Sequence, residues 1–378
     1  MTFDFDAPVE RAGTWSTRWE RFAGRDVIPL WVADSDFRAP PAVLEALAAR
    51  VAHGVFGYTT PPAALTEAIC ERLARRYAWR VEPSWVVYLS GVVPGLHLAA
   101  RKLVPADGQV LVPRPVYQHL KRAAELAPRS FTEISLVLDR GRWVLDPQDL
   151  SRDADLFFLC NPHNPGGTVF RRAELERLAE ASGRAIIVSD EIHCDLVLDE
   201  ELRHVPIASL SPEISRRTVT LMSASKTFNF PAAGCAWAII EDERLRRAFA
   251  ADIAAHVLHS PSVFGYEATL AAFRGGDSWL AAQLEYLRGN RDRVERAMET
   301  AGLPMAHIEA TYLAWIDTSP LKIKDAYQAF LDAGVALSPG PQFGASGAFV
   351  RLNFATQSAR LDEALARMRA AAARPAPR

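Results

Sequence analysis

Apolar residues recur three and four apart over 42–51 and 65–77, the spacing of one face of an amphipathic helix. Between these and about residue 240 the pattern changes repeatedly. Short apolar runs at 85–89, 110–112, 156–160, 185–189, 219–222 and 236–240 are rich in β-branched or aromatic residues and bounded by Gly, Pro, Asn or Asp, which predicts strands. Helical stretches at 96–103 and 173–181 fall between them. Strands that are apolar throughout are buried on both faces, and with helices between them they predict an α/β unit with a mostly parallel sheet. After Asp242 come two long helical stretches, 243–258 and 279–301. Three β-type runs follow at 310–317, 335–338 and 348–354, then a closing helix from 359 to about 371. That order predicts a smaller α+β unit, and the last residues, AARPAPR, read as a frayed tail.

Composition narrows the class without naming a function. The 378 residues are 49% hydrophobic and 23% charged, enough apolar material for large cores and too much for a disordered chain. Lys+Arg 43 against Asp+Glu 45 leaves a net charge of -2, so no general pull toward nucleic acid or an anionic membrane is expected. The four cysteines, Cys70, Cys160, Cys194 and Cys235, are scattered and form no C-x-x-C pair, which predicts free thiols in a reducing cytoplasm. The N-terminal residues carry no apolar signal-peptide core, and no apolar run reaches membrane-spanning length. A soluble enzyme, small-molecule binder or interaction module remains.

Three segments carry the chemistry. AIIVSDEIH, 185–193, ends a buried strand in Asp190, where open α/β sheets place their ligands. A carboxylate there needs a cation or donors, or it caps the next turn. The Mg²⁺ site of a P-loop NTPase is the other use of such a strand, but the chain has no G-x-x-x-x-G-K-[ST] loop. In TVTLMSASKTFNF, 218–230, a strand runs into Ser223, Ala224, Ser225 and Lys226. A lysine in that place either snorkels to water or, beside phosphate-binding hydroxyls, forms a Schiff base through an amine of lowered pKa. LCNPHNPGGTVF, 159–170, makes a rigid turn after a third strand and carries Asn164. Asn164, Asp190 and Lys226 therefore follow three successive strands of one sheet, which predicts one shared crevice. Cys160, His163, His193 and Cys194 form a competing candidate set for zinc, though their positions are already accounted for by these motifs.

N-P-G-G, then S-D-E, then S-A-S-K in this order resembles the fold-type I pyridoxal-phosphate enzymes of the aspartate aminotransferase superfamily. The resemblance implies a large domain, 40–273, with a mostly parallel seven-stranded sheet, and a small domain built from 1–39 and 274–378. It implies pyridoxal 5'-phosphate held as a Schiff base on Lys226, its ring nitrogen on Asp190 and its ring oxygen on Asn164. Gly91, Val92 and Val93, at a helix start, match the phosphate cup, whose free N–H groups suit an anion. Ser223 matches a phosphate-binding hydroxyl, Tyr117 the aromatic stacked on the cofactor ring, and Arg351 the fork for the substrate α-carboxylate. Tyr58, in HGVFGYT, matches a tyrosine that reaches the neighbouring subunit's cofactor, which implies a homodimer with shared sites.

Motifs around the pocket resemble the cystathionine β-lyase/C–S lyase group more closely. They include LWVADSDFRAPPAVLEAL (30–47), SGVVPGL (90–96), NPHNPGG (161–167), SDEIHCDL (189–196) and GVALSPGPQFG (334–344). Ser35 stands where that group often has methionine. His193 replaces the tyrosine of many aminotransferases near the cofactor's ring oxygen, and Gly234 replaces their phosphate-binding arginine eight residues after the lysine. The implied reaction is cleavage of cystathionine or another cysteine S-conjugate to a thiol, pyruvate and ammonia. The alternative is transamination, which shares every step up to removal of the α-proton.

Overall fold

The computed structural model describes residues 3–373, so residues 374–378 of the expected tail lie outside the described residues. Its strands, in chain order, are β1 (Ile28–Pro29), β2 (Val86–Leu89), β3 (Gln109–Arg114), β4 (Ser130–Asp139), β5 (Arg142–Leu145), β6 (Leu156–Cys160) and β7 (Ile186–Asp190). They continue as β8 (Thr218–Met222), β9 (Ala236–Ile239), β10 (Leu313–Asp317), β11 (Val335–Ala336), β12 (Ser338–Pro339) and β13 (Phe349–Asn353).

The apolar runs form a central sheet in the order β2-β9-β8-β7-β6-β3-β4-β5. β8, β7, β6, β3 and β4 pair in parallel, whereas β9 runs antiparallel to both of its neighbours. β2 therefore points the same way as β8, and six carboxyl ends (β2, β3, β4, β6, β7 and β8) lie along one edge. Period-two alternation divides the core. Leu156, Phe158 and Cys160 pack with Leu96 and Leu120 on one face, while Phe157 and Leu159 pack with Leu175 and Leu178 on the other. Both faces are thus covered, as the continuous apolar pattern requires.

The sheet has eight strands where seven were expected. The apolar runs mark six of the eight, and the β4–β5 hairpin supplies the two they miss. β4 lies next to the edge strand β5 and has mostly half-buried or exposed residues, so its apolar content is diluted. The readable signal was the turn: Arg140 and Gly141 both take positive φ, 48° and 78°, between strands paired Asp139 to Arg142. A helix at Val263–Gly275 also went unpredicted.

Beyond it, the 24-residue helix Asp277–Thr300 spans about 36 Å. It leads to the antiparallel sheet β10-β13-β12, in which Arg351 lies opposite both Trp315 and Ser338. β1 pairs in parallel with β11 as a separate two-stranded sheet, and Asn353 N of β13 donates to the Leu30 carbonyl at 2.9 Å, which ties the N-terminal chain to the second sheet. Residues 31–37 then run on toward the carboxyl edge of the main sheet, where Ala33 meets Lys226.

Candidate functional site

Five strand ends and the 31–37 segment enclose a cavity of about 350 Å³. β6 leads to Asn164, β7 ends at Asp190, and β8 leads to Lys226, with Cys160 aligned to Asp190 and Asp190 to Leu221 in the ladder. β3 leads to Tyr117. β2 leads to Gly91, the N-cap of helix Val92–Lys102, whose first N–H groups face no earlier helical carbonyl. Gly91, Val92, Val93, Tyr117, Asn164, Asp190, His193, Lys226 and Arg351 all line this space. The crevice expected from three successive strands is therefore formed.

The lysine is half-buried with its amine turned into the cavity, not snorkelled out to water. Its Nζ donates to the Ala33 carbonyl at 2.6 Å, and burial lowers its pKa to about 8. Burial also raises Asp190 to about 7, because its carboxylate takes one backbone donor, Ile192 N at 3.2 Å, with Lys226 only nearby. His193 is held neutral by burial, with the positive charges of Lys226 and Arg351 adding to it, and its pKa falls to about 3. Its ring meets Tyr312 edge-on at 5.9 Å, and its buried Nδ1 has no partner among the described residues.

Arg351 is also buried, not a solvent-facing strand arginine. Its Nη1 donates to Asn164 Oδ1 at 3.0 Å and its Nη2 to the Trp31 carbonyl at 2.8 Å. The guanidinium lies over the Phe343 ring at 4.7 Å, and its Nε has no partner among the described residues. Tyr117 N donates to the Asn164 carbonyl at 2.9 Å, which fixes those two loops to each other. His163 strengthens the same link. Its Nδ1 accepts from Gly166 N at 3.1 Å, so Nε2 carries the proton and donates to the Pro115 carbonyl at 3.0 Å. Both ring nitrogens are thereby spent on the backbone, and the competing zinc set does not assemble: no group of three His, Cys, Asp or Glu side chains suited to a metal occurs among the described residues.

Two of the expected residues stand apart. The Ser223 hydroxyl donates to the Cys235 carbonyl at 2.6 Å and accepts from Ser225 N, whereas Ser225 lines the cavity. Tyr58 is fully exposed and does not reach the cavity within one chain. Gly234 has a structural reason to be glycine. Its φ is +62°, and a Cβ there would lie 3.2 Å from the Ser90 carbonyl, so an arginine would be strained in that place.

Several residues that build the site were not found by sequence reasoning. Asn229 binds Ser35 on both backbone groups and the Phe37 carbonyl, while Asn353 holds the carbonyls of Val32 and Asp34. Together they clamp the 31–37 segment over Lys226. Asn229 sits at φ 56°, a conformation asparagine tolerates better than most residues, but nothing in its spacing marks that role.

The comparisons with known proteins fit this construction. The family model for aminotransferase class I and II matches residues 25–368. Cystathionine beta-lyase PatB of Bacillus subtilis (strain 168) is 36% identical, with 97% of this chain and 99% of PatB covered. The crystal structure of OvoB is 41% identical with a TM-score of 0.95, covering 98% of this chain and 99% of that one. Cystalysin from Treponema denticola, whose crystal structure contains a pyridoxal 5'-phosphate cofactor, is 28% identical with a TM-score of 0.92, covering 98% and 99%. A match that runs through all three sheets and every strand end of the crevice establishes that the chain belongs to the aminotransferase class I and II family.

Proposed function

We propose that the protein is a pyridoxal-phosphate-dependent carbon–sulfur β-lyase that converts cystathionine or another cysteine S-conjugate, with water, to a thiol, pyruvate and ammonia. The observation that carries this reading is the Lys226 amine, which shares one cavity with Asp190 and the Arg351 fork. The chain's likeness to a cystathionine β-lyase over nearly the full length of both proteins supports the choice of reaction.

The cavity's unsatisfied groups fit the cofactor. Asp190 is a buried carboxylate short of donors, and a protonated ring nitrogen supplies one. The free N–H groups at the start of helix Val92–Lys102 suit a phosphate dianion, with the Ser225 hydroxyl beside them. His193, whose Nδ1 has no partner among the described residues, lines the same space, and so does Tyr117. When bound, the cofactor supplies an electron sink for the pair left on the substrate α-carbon.

The chain's own residues do the rest. An amine of pKa about 8 exchanges readily between neutral and protonated forms near neutral pH, which suits Lys226 to take the α-proton and return it. Arg351 holds the α-carboxylate, and the 31–37 segment with Tyr312 shields the amine from water. The Cβ–S bond then breaks with its electron pair on sulfur, and the thiolate takes a proton. Water converts the three-carbon remainder to pyruvate and ammonia. Tyr58 is assigned to the partner's site in a homodimer; its exposure beside exposed Val55 and Phe56 supports that placement.

The test is incubation with L-cystathionine and no added 2-oxo acid. Pyruvate and homocysteine are expected in equal amounts. Turnover that requires a 2-oxo acid acceptor would make the protein an aminotransferase instead.

A further inference from the structure

A second cleft, of about 360 Å³, adjoins the catalytic cavity, and the two share Gln118, Gln342 and Phe343 as lining residues. These positions follow from the site's own construction. Gln118 is the residue after Tyr117 and opens helix Gln118–Leu126, while Gln342 precedes the Phe343 ring that carries the Arg351 guanidinium. Val116 N donates to the Phe343 carbonyl at 3.0 Å, which holds the two walls together below the shared rim. A substrate whose carboxylate sits on Arg351 lies beside Phe343, which borders both spaces. The rim at Gln118 and Gln342 opens into this cleft.

The chemistry of the cleft is unlike that of the catalytic cavity. Lys121 pairs with Glu133 at 3.0 Å, and Arg122 pairs with Glu125 at 3.3 Å. The four charges cancel, yet both signs are presented, with side chains only partly covered. The two glutamine amides add donors and acceptors. His119 lies against the Tyr117 ring at 5.1 Å, and its buried Nδ1 has no partner among the described residues. Such a lining is poorly matched to a bare alkyl group, which would desolvate these polar groups without replacing their bonds. It suits an extension that ends in a carboxylate and an ammonium, each able to exchange with one member of a surface pair.

We propose that this cleft is the leaving-thiol subsite, and that it selects cysteine S-conjugates whose thiol half ends in paired charges over those with a short alkyl half. The inference rests on the lyase reading above. Lys121 and Glu133 are its specificity-determining pair: one meets the carboxylate of the leaving half, the other its ammonium. Because the pair is partly exposed, removing it costs the fold little.

The experiment compares kcat/KM for L-cystathionine and S-ethyl-L-cysteine in the pyridoxal-loaded wild type, Lys121→Met, Glu133→Gln and the charge-swapped double variant Lys121→Glu/Glu133→Lys. Each single variant is expected to lose about tenfold on L-cystathionine, the scale of one charge-assisted contact, and to keep its rate on S-ethyl-L-cysteine. The swapped variant keeps an ion pair and the fold but reverses its polarity, so it is expected to stay low on L-cystathionine alone. Parallel losses on both substrates, or an unchanged rate on L-cystathionine, would overturn the subsite while leaving the lyase intact. If the wild type releases pyruvate from neither conjugate, the lyase reading falls first and this proposal with it.

Discussion

Two aspartates five residues apart on the same segment are equally buried and behave oppositely. Asp190 is 3% exposed and Asp195 5% exposed. Burial pushes both carboxyls up, but the outcome is about 7 for Asp190 and about 2 for Asp195. The difference is in their partners. Asp195 accepts from Arg72 Nη2 at 2.8 Å and from the Tyr77 hydroxyl, and Arg76 lies at 2.8 Å. Glu191, between them, is also satisfied: it takes His204 Nε2 at 2.7 Å, the Ser189 hydroxyl at 2.8 Å and Ile207 N at 3.3 Å. Only Asp190 is left with a single backbone donor. Equal desolvation thus separates a brace, finished within the chain, from a half-built site that needs a ligand.

The strongest challenge to this contrast is on the unfinished side. Lys226→Ala is expected to lower turnover by at least about a thousandfold and to abolish the visible absorbance of a covalently held cofactor. Retention of a borohydride-stable cofactor adduct in that variant would remove the lysine from its assigned place. On the finished side, Asp195→Ala leaves Arg76 unpaired among the described residues and Arg72 with Asp277 alone, and is expected to cost about 3 kcal/mol in urea unfolding. Asp190→Asn is expected to leave the unfolding midpoint of the cofactor-free protein unreduced at pH 8 while weakening cofactor binding, measured by titration of the visible band. Equal destabilisation by the two substitutions would erase the distinction. Arg351→Gln removes the carboxylate fork, and a fall in kcat/KM of about 10- to 150-fold is expected from the loss of charge-assisted bonds worth about 1.5–3 kcal/mol.

The same contrast explains what could be read from the sequence. Asn164, Asp190 and Lys226 were legible because each terminates or follows a continuous apolar strand, and parallel strands put their carboxyl ends together. Arg72 and Asp195 were not, since they lie 123 residues apart and meet only through tertiary packing. Ala33 contributes a carbonyl rather than a side chain, so no residue type could announce it. The S-A-S-K spacing offered two hydroxyls, and only the folded turn shows Ser225 toward the cavity and Ser223 toward the Cys235 carbonyl. The role proposed for Tyr58 belongs to a second copy of the chain, so neither the pattern of one sequence nor the fold of one copy builds it. The β4–β5 hairpin escaped because an outer strand needs less apolar surface than a central one.

The smallest effect is a slope, and it separates the two aspartates most cleanly. A carboxyl raised to about 7 binds its proton more tightly in the folded than in the unfolded protein. Between about pH 4 and 7 the folded state therefore holds more protons at this site, and Asp190 makes the cofactor-free protein less stable as pH rises, by no more than about 1.4 kcal/mol per pH unit. Asp195 has the opposite sign: its stabilisation is present above the unfolded carboxyl pKa and is lost only as pH falls toward 2. It adds no slope between pH 5 and 7. Urea unfolding of the cofactor-free wild type and Asp190→Asn at pH 5, 6 and 7, at one protein concentration, should give curves that diverge as pH rises, with the variant gaining. Bound cofactor should abolish the divergence, because a protonated ring nitrogen keeps the Asp190 carboxylate charged throughout. Parallel curves in the cofactor-free protein would mean that Asp190 is as well served by its own chain as Asp195 is, and the crevice would lose its claim to be unfinished.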